Sequence, residues 1–335
     1  MPERIHEAGG ETLSLALIEE ARGFLAGRIR RTPLEESPEL SRRLGVPVRC
    51  KLESLQATGS FKVRGALFRL SRLSEPEKRA GLATCSAGNH GKAVAYAARE
   101  LALVPTIYVP SSVDESKHRG MVELGARVIR SEFPGYDETE QWALREAARE
   151  GKVWISAFDD AAIMAGNGGT LAHEILEDAP ESVAFVLPVG GGGMAAGLCL
   201  LVKQRSPGAV VVGCNHALSP ALAMSLEKGE AVTRLPAVET AAGGIEGGIG
   251  RGPFEILRSR IDRVALVTEE EIFEGVRWML QWHQHLIEPS AASAVAACLT
   301  GRAGPFDAPV VVVISGRNVS LETLRRILAQ PSDRS

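Results

Sequence analysis

The chain has 335 residues, 45% hydrophobic and 24% charged, enough to bury one large core or two medium ones. Its 38 Lys and Arg against 41 Asp and Glu leave a formal net charge of −3, and no basic block occurs, which excludes the positive face of a nucleic-acid binder. No apolar run reaches the roughly 20 residues that span a bilayer, so no membrane partner is expected. The five cysteines (Cys50, Cys85, Cys199, Cys214, Cys298) are scattered with no C-x-x-C pair, which argues against a disulfide framework or zinc site and fits a reducing cytoplasm.

The N-terminal stretch MPERIHEAGG is polar and does not read as a signal peptide. Residues 15–28 have the spacing of an amphipathic helix. Short β-branched runs follow at Val104–Val109, Val153–Ser156, Val183–Val189, Val210–Gly213 and Pro309–Ile314, with helix-like stretches at 90–102 and 138–150. Thr268 and Glu271 form a capping box that opens a helix through about His283. The tail from about residue 329 is expected to fray. Interleaved strands and helices predict an α/β fold with largely parallel sheets. No Pro/Gly/Ser-rich linker divides the chain, so two domains would be tightly joined and discontinuous in sequence.

Four segments carry candidate chemistry. In KLESLQATGSFKVRGA (51–66), Thr58, Gly59 and Ser60 form a turn, and a helix starting near Phe61 puts Lys62 in its first turn. A cation is poorly placed at the positive end of a helix. Lys62 is therefore either a surface lysine after a turn or a desolvated amine of lowered pKa, suited to carrying a Schiff base. TCSAGNHG (84–91) precedes an Ala-rich helix. It is either a plain N-cap by Ser86 or Asn89 or a cluster of N–H groups that binds an anion such as a carboxylate.

The run VAFVLPVGGGGMAAGL (183–198) ends a buried strand, passes four glycines and opens a helix near Met194. Such a loop cradles a phosphate, but a dinucleotide site also uses one. The dinucleotide reading needs an acidic residue about 20 positions on; Cys214 and Asn215 stand there, and no acid comes before Glu227. Last, PVVVVISGRNV (309–319) delivers Ser315 at the C-terminal end of a strand, where parallel sheets bind ligands, although a serine there is often only a turn residue. His283 and His285, two apart, do not share a helix face. The run Glu269, Glu270, Glu271 reads as helix-start charge.

Together, in this order, the four segments resemble those of the fold-type II pyridoxal-phosphate (PLP) enzymes, in the threonine dehydratase and serine racemase branch, over roughly residues 15–325. Phe61-Lys62-Val63-Arg64-Gly65 is in the dehydratase style. The resemblance implies two open, twisted, mostly parallel sheets flanked by helices. It implies a large PLP-binding domain from residues 1–55 and 160–335, and a small domain from 56–159. It also implies a homodimer or higher homo-oligomer.

By the same resemblance Lys62 carries PLP and Phe61 packs against its ring. Asn89 sits near the 3′ oxygen, and Ser86, Ala87, Gly88, Asn89 and His90 bind the substrate carboxylate. Gly190, Gly191, Gly192 and Gly193, with Met194, hold the phosphate, and Ser315 meets the pyridine nitrogen. Glu288, in IEPSAASAVAA, belongs to a segment near the cofactor.

Departures from the pattern carry information too. Serine racemases have a serine at the place of Ala87, acting as a second acid/base on the face opposite the lysine. A methyl group moves no proton, so elimination is favoured over racemisation. Arg317 replaces the second glycine after the serine, and is either a surface arginine or a contact to substrate. Serine racemases bind a divalent cation through carboxylates where Asn215 and Ala221 stand here, so no metal is expected. No room is expected for the regulatory domain of feedback-controlled threonine dehydratases.

Ser156 and Ala157 replace a His-Pro pair before Phe158-Asp159-Asp160, and one extra residue falls within AGNGGT (165–170). Both changes hint at a substrate larger than threonine, such as phenylserine. The expected reaction is dehydration and deamination of a β-hydroxy-α-amino acid to a 2-oxo acid and ammonia. An amino-acid racemase of the same fold, a nicotinamide-dependent oxidoreductase and a non-catalytic metabolite-binding protein are the alternatives.

Overall fold

The computed structural model describes residues 11–329; the polar N-terminal decapeptide and the tail from residue 330 lie outside them. The described residues form ten strands: β1 (Leu34–Glu36), β2 (Val48–Leu52), β3 (Leu82–Cys85), β4 (Pro105–Val109), β5 (Arg127–Arg130), β6 (Val153–Trp154), β7 (Ala184–Pro188), β8 (Val210–His216), β9 (Arg263–Val267) and β10 (Val310–Ile314). They build two sheets. The larger runs β1-β2-β10-β7-β8-β9, the smaller β5-β4-β3-β6. Every pairing is parallel except β1 with β2. The expected α/β class with mostly parallel sheets is what the chain forms.

Continuous apolar strands are buried on both faces of a parallel sheet, and β7 and β10 are wholly buried. Along β10, Val311 and Val313 enter one core while Val310, Val312 and Ile314 enter the other, as a two-residue side-chain period dictates. Each of the five expected strand runs contains a strand. β1, β2, β3, β5 and β9 were not anticipated. Arg49 and Lys51 interrupt β2, and arginines end β5 on both sides.

Helix ends follow local chemistry. Leu15–Leu25 starts at Ser14, whose hydroxyl accepts from Leu17 N–H at 3.2 Å, and stops short of Gly27 at φ +74°. That is three residues before the expected end. The capping box is present at both bonds: Glu271 N–H to Thr268 Oγ1 (3.3 Å) and Thr268 N–H to Glu271 Oε2 (2.9 Å). The helix it opens is Glu269–Trp282.

Between the helices Ala161–Met164 and Thr170–Asp178, residues Ala165–Gly169 form a π turn. A helix absorbs one extra residue in this way, and the turn lies within AGNGGT, where the resemblance implies that this chain has one more residue than its family. The segments of interest lie beyond the C-terminal ends of parallel strands, where open α/β sheets place ligands: residues 53–62 after β2, 86–90 after β3, 189–193 after β7 and 315–318 after β10.

Candidate active site

Gly59, at φ +78°, turns the chain back after β2. Phe61 N–H then donates to Ser315 O at 3.1 Å, and Ser60 bridges to Gly316, so the lysine segment is clipped to the end of β10. The helix that follows, Lys62–Ser71, has Lys62 as its first residue. Its orientation is fixed by Arg64, which is fully buried. Arg64 grips Glu53 through Nε (2.7 Å) and Nη2 (2.8 Å), and Glu174 through Nη1 (2.7 Å) and Nη2 (2.9 Å). Lys51 Nζ completes the cluster at 2.7 Å from Glu174. Two cations and two carboxylates cancel, which is the condition for burying charge.

Lys62 Nζ donates to Ala157 O at 2.7 Å and lies 5.3 Å from the Phe61 ring centroid. The residue keeps partial exposure, as an amine that must meet a substrate requires. Burial of its amine lowers the pKa to about 8, against an opposing pull from Glu288. Burial of the amine is what the desolvated-amine reading of Lys62 expects.

Glu288 is the group whose importance the sequence understated. It precedes the helix Pro289–Leu299 and sits under Gly316, where an added Cβ would stand 2.7 Å from Glu288 Oε1. Asn89 Nδ2 donates to Oε1 at 2.6 Å, and Asn318 N–H to Oε2 at 3.0 Å. Asn318 Nδ2 in turn donates to Asn89 Oδ1 at 2.6 Å, and Lys92 Nζ to Asn318 Oδ1 at 3.1 Å. Burial raises the Glu288 pKa to about 7 despite these donors. A glutamate just before proline in an otherwise apolar run is a visible signal, but only the fold shows its tie to Asn89. Arg317 is exposed and lies near enough to Lys92 to help lower that group's pKa, which burial lowers first.

In the loop after β3, Ser86 Oγ accepts from Gly88 N–H at 3.2 Å. Among the described residues no acceptor meets the N–H of Ala87, Asn89 or His90. These donors open the helix Asn89–Glu100. The His90 ring turns away: its Nε2–H donates to Ile155 O at 3.3 Å, and burial, then Lys62, holds its pKa down to about 3. Neutral His90 therefore offers the loop its backbone rather than its side chain.

The glycine run is tightly packed. An added Cβ at Gly191 would enter the Phe158 ring, one at Gly193 would stand 2.6 Å from Phe158 O, and one at Gly190 would strike Gly244 O. Gly192 has φ +88°, in the left-handed region. Among the described residues nothing accepts from the N–H of Gly190, Gly191, Gly192 or Gly193, and the helix Gly193–Arg205 starts there. The Met194 side chain belongs to the hydrophobic core, so only its backbone faces this corner.

A family model described as pyridoxal-phosphate dependent enzyme matches residues 25–316. The chain belongs to this family. PLP is the family's cofactor, and this chain is a PLP-dependent enzyme; the nicotinamide and non-catalytic alternatives fall away. Among its relatives, the L-threonine ammonia-lyase of Geobacter sulfurreducens is 34% identical over 93% of this chain and 77% of that protein. That of Thermotoga maritima is 36% identical over 94% and 78%. The structure is similar to that of maize serine racemase, with a TM-score of 0.88, 27% identity and coverage of 95% of this chain and 97% of that one.

The residues present fit PLP. The glycine N–H groups at a helix start suit a phosphate dianion, and the buried amine of Lys62 suits an aldehyde. Among the described residues the Thr58 and Ser60 hydroxyls and His90 Nδ1, all near Lys62 in sequence or space, are buried with no hydrogen-bond partner. Asn215 spends its amide on Val189 O (2.7 Å) and on Leu222 N–H (3.2 Å). His283 and His285 each have a structural partner: Ser37 Oγ lies 2.8 Å from the first and Glu35 Oε2 3.0 Å from the second.

Proposed function

We propose that this enzyme is an ammonia-lyase that removes water from a β-hydroxy-α-amino acid and yields a 2-oxo acid and ammonia. The observation that carries the reading is the pairing of a desolvated Lys62 amine with a loop that offers only the Ala87 methyl as its central side chain. PLP, when bound, supplies the electron sink that makes the substrate Cα–H acidic.

In this reading Lys62 is the cofactor lysine. The N–H groups of Gly190, Gly191, Gly192 and Gly193 and the helix start at Met194 hold the phosphate. Phe61 flanks the ring, and Ser315 hydrogen-bonds the ring nitrogen. The N–H groups of Ala87, Asn89 and His90, shaped by Ser86 and Gly88, orient the substrate carboxylate. Neutral Lys62 Nζ takes the Cα proton and delivers a proton to the departing β-oxygen. Ala87 provides no second acid/base, so the Cα proton leaves and is not returned on the other face. The names of the ammonia-lyase relatives support this, and the serine racemase neighbour supports the alternative of Cα racemisation.

The substrate side chain enters beside Ser156 and Ala157, whose small size supports a substrate larger than threonine, such as phenylserine. A 2-oxo acid release assay across serine, threonine, 3-hydroxyaspartate and phenylserine tests both parts. Turnover of phenylserine at least as efficient as that of threonine is expected. Turnover of serine alone contradicts the enlarged pocket, and no 2-oxo acid from any of the four contradicts the lyase.

A further inference from the structure

The π turn Ala165–Gly169 lies between two helices that bear on the site. Asn167 carries its only side chain beyond a methyl. That side chain is 1% exposed, and its Oδ1 accepts from Gly65 N–H at 2.8 Å. Gly65 is the fourth residue of the Lys62 helix; the Phe61 carbonyl, its i−4 acceptor, is taken by Arg64 N–H at 3.0 Å, and Phe61 supplies no side-chain cap. An asparagine from a different element therefore caps the helix that bears the lysine.

Backbone contact on both flanks makes the turn a spacer. A Cβ added at Gly166 would stand 2.7 Å from Gly65 Cα and 2.8 Å from Arg64 O. On the other flank, a Cβ at Gly168 would stand 2.6 Å from Leu198 N, and one at Gly197 2.7 Å from Gly169 N. Leu198 and Gly197 belong to the helix that starts at the glycine run. The extra residue lets Asn167 face one helix while Gly168 faces the other.

We propose that Asn167 is a positioning residue that sets the charge preference of the Lys62 nitrogen and its place relative to the glycine run, acting through Gly65 N–H. The inference rests on the reading of Lys62 as the cofactor lysine. The unpaired donors of a helix start disfavour a cation. An amide oxygen on one of them tempers that field without adding net charge; a carboxylate would hold an ammonium, and a methyl would leave the field unopposed.

The test is an absorbance titration of the holoenzyme, whose visible band follows the charge on the Lys62 nitrogen, in the wild type, N167A, N167D and N167Q. Borohydride reduction and peptide mass mapping locate the cofactor in each. The expected result is a titration midpoint raised by about half a pH unit or more in N167D and lowered in N167A, with N167Q close to the wild type. A general loss of packing would not move the two in opposite directions. Should N167A fail to fold, the comparison of N167D with N167Q decides. With the cofactor mapped to Lys62, midpoints that stay fixed or shift together overturn the proposal. A cofactor mapped to another lysine overturns the reading of Lys62 itself.

Discussion

Lys62 Nζ donates a 2.7 Å hydrogen bond to the carbonyl oxygen of Ala157, the residue next to Phe158, whose ring and carbonyl fill the space beside Gly191 and Gly193. One dipeptide thus spans from the amine to the glycine loop. Amine and loop are about 130 residues apart in sequence, and nothing local fixes their separation, so such a through-space link is what holds a cofactor's two ends in register.

Replacing Lys62 by alanine removes the proposed covalent anchor and the base together. Lys62→Ala is expected to lose the visible cofactor band and about a thousandfold or more in kcat. Absorbance and a 2-oxo acid assay on the same preparation check it; a retained band with full turnover would refute the assignment.

Gly191 has no room for a methyl, whereas a Cβ at Gly88 meets nothing within 4 Å. Gly191→Ala is expected to destabilise the fold by about 1–3 kcal/mol and to weaken PLP binding about tenfold or more by shifting the loop N–H groups. Gly88→Ala should stay within about 0.5 kcal/mol of the wild type. Denaturant midpoints and cofactor titration compare the two.

Glu288 has a folded pKa of about 7, above its ordinary value of 4.5, because it is buried. The folded state then binds this proton more tightly than the unfolded state. The stabilisation is fully present below about pH 4.5 and is lost as pH rises through 7. Glu288→Gln should remove a decline in stability of about 2–3 kcal/mol between pH 5 and 8. Urea unfolding at several pH values reads this slope, and an identical slope in the variant contradicts the shift.

Ala87→Ser puts a hydroxyl in the middle of the loop that the reading sets opposite Lys62. It is expected to release a measurable fraction of the substrate as its Cα epimer, at the expense of 2-oxo acid. Chiral chromatography checks it; no epimer from a folded, cofactor-loaded variant places the missing proton donor elsewhere.

Much of this site was legible because backbone chemistry leaves marks in sequence. Gly59 marks the turn before Lys62, four glycines mark a loop packed against Phe158, and the apolar runs of β7 and β10 mark the middle of a parallel sheet. β2 was illegible because Lys51 is buried there through Thr32 O and Glu174, partners outside the strand, the second far along the chain. β5 was illegible because an edge strand tolerates arginines at its ends. The Asn89–Glu288–Asn318 network and the Asn167–Gly65 bond are likewise long-range pairings, in which neither partner alone predicts the other. The π turn lies in AGNGGT, the segment where the resemblance implied an extra residue.

The most direct test of the central claim is the fate of L-threonine and L-serine with the wild-type holoenzyme, followed at once by 2-oxo acid, ammonia and chiral amino-acid analysis. Lys62 acting alone on one face predicts 2-oxo acid and ammonia in equal amounts with no Cα epimer. Accumulation of the epimer without 2-oxo acid would contradict it.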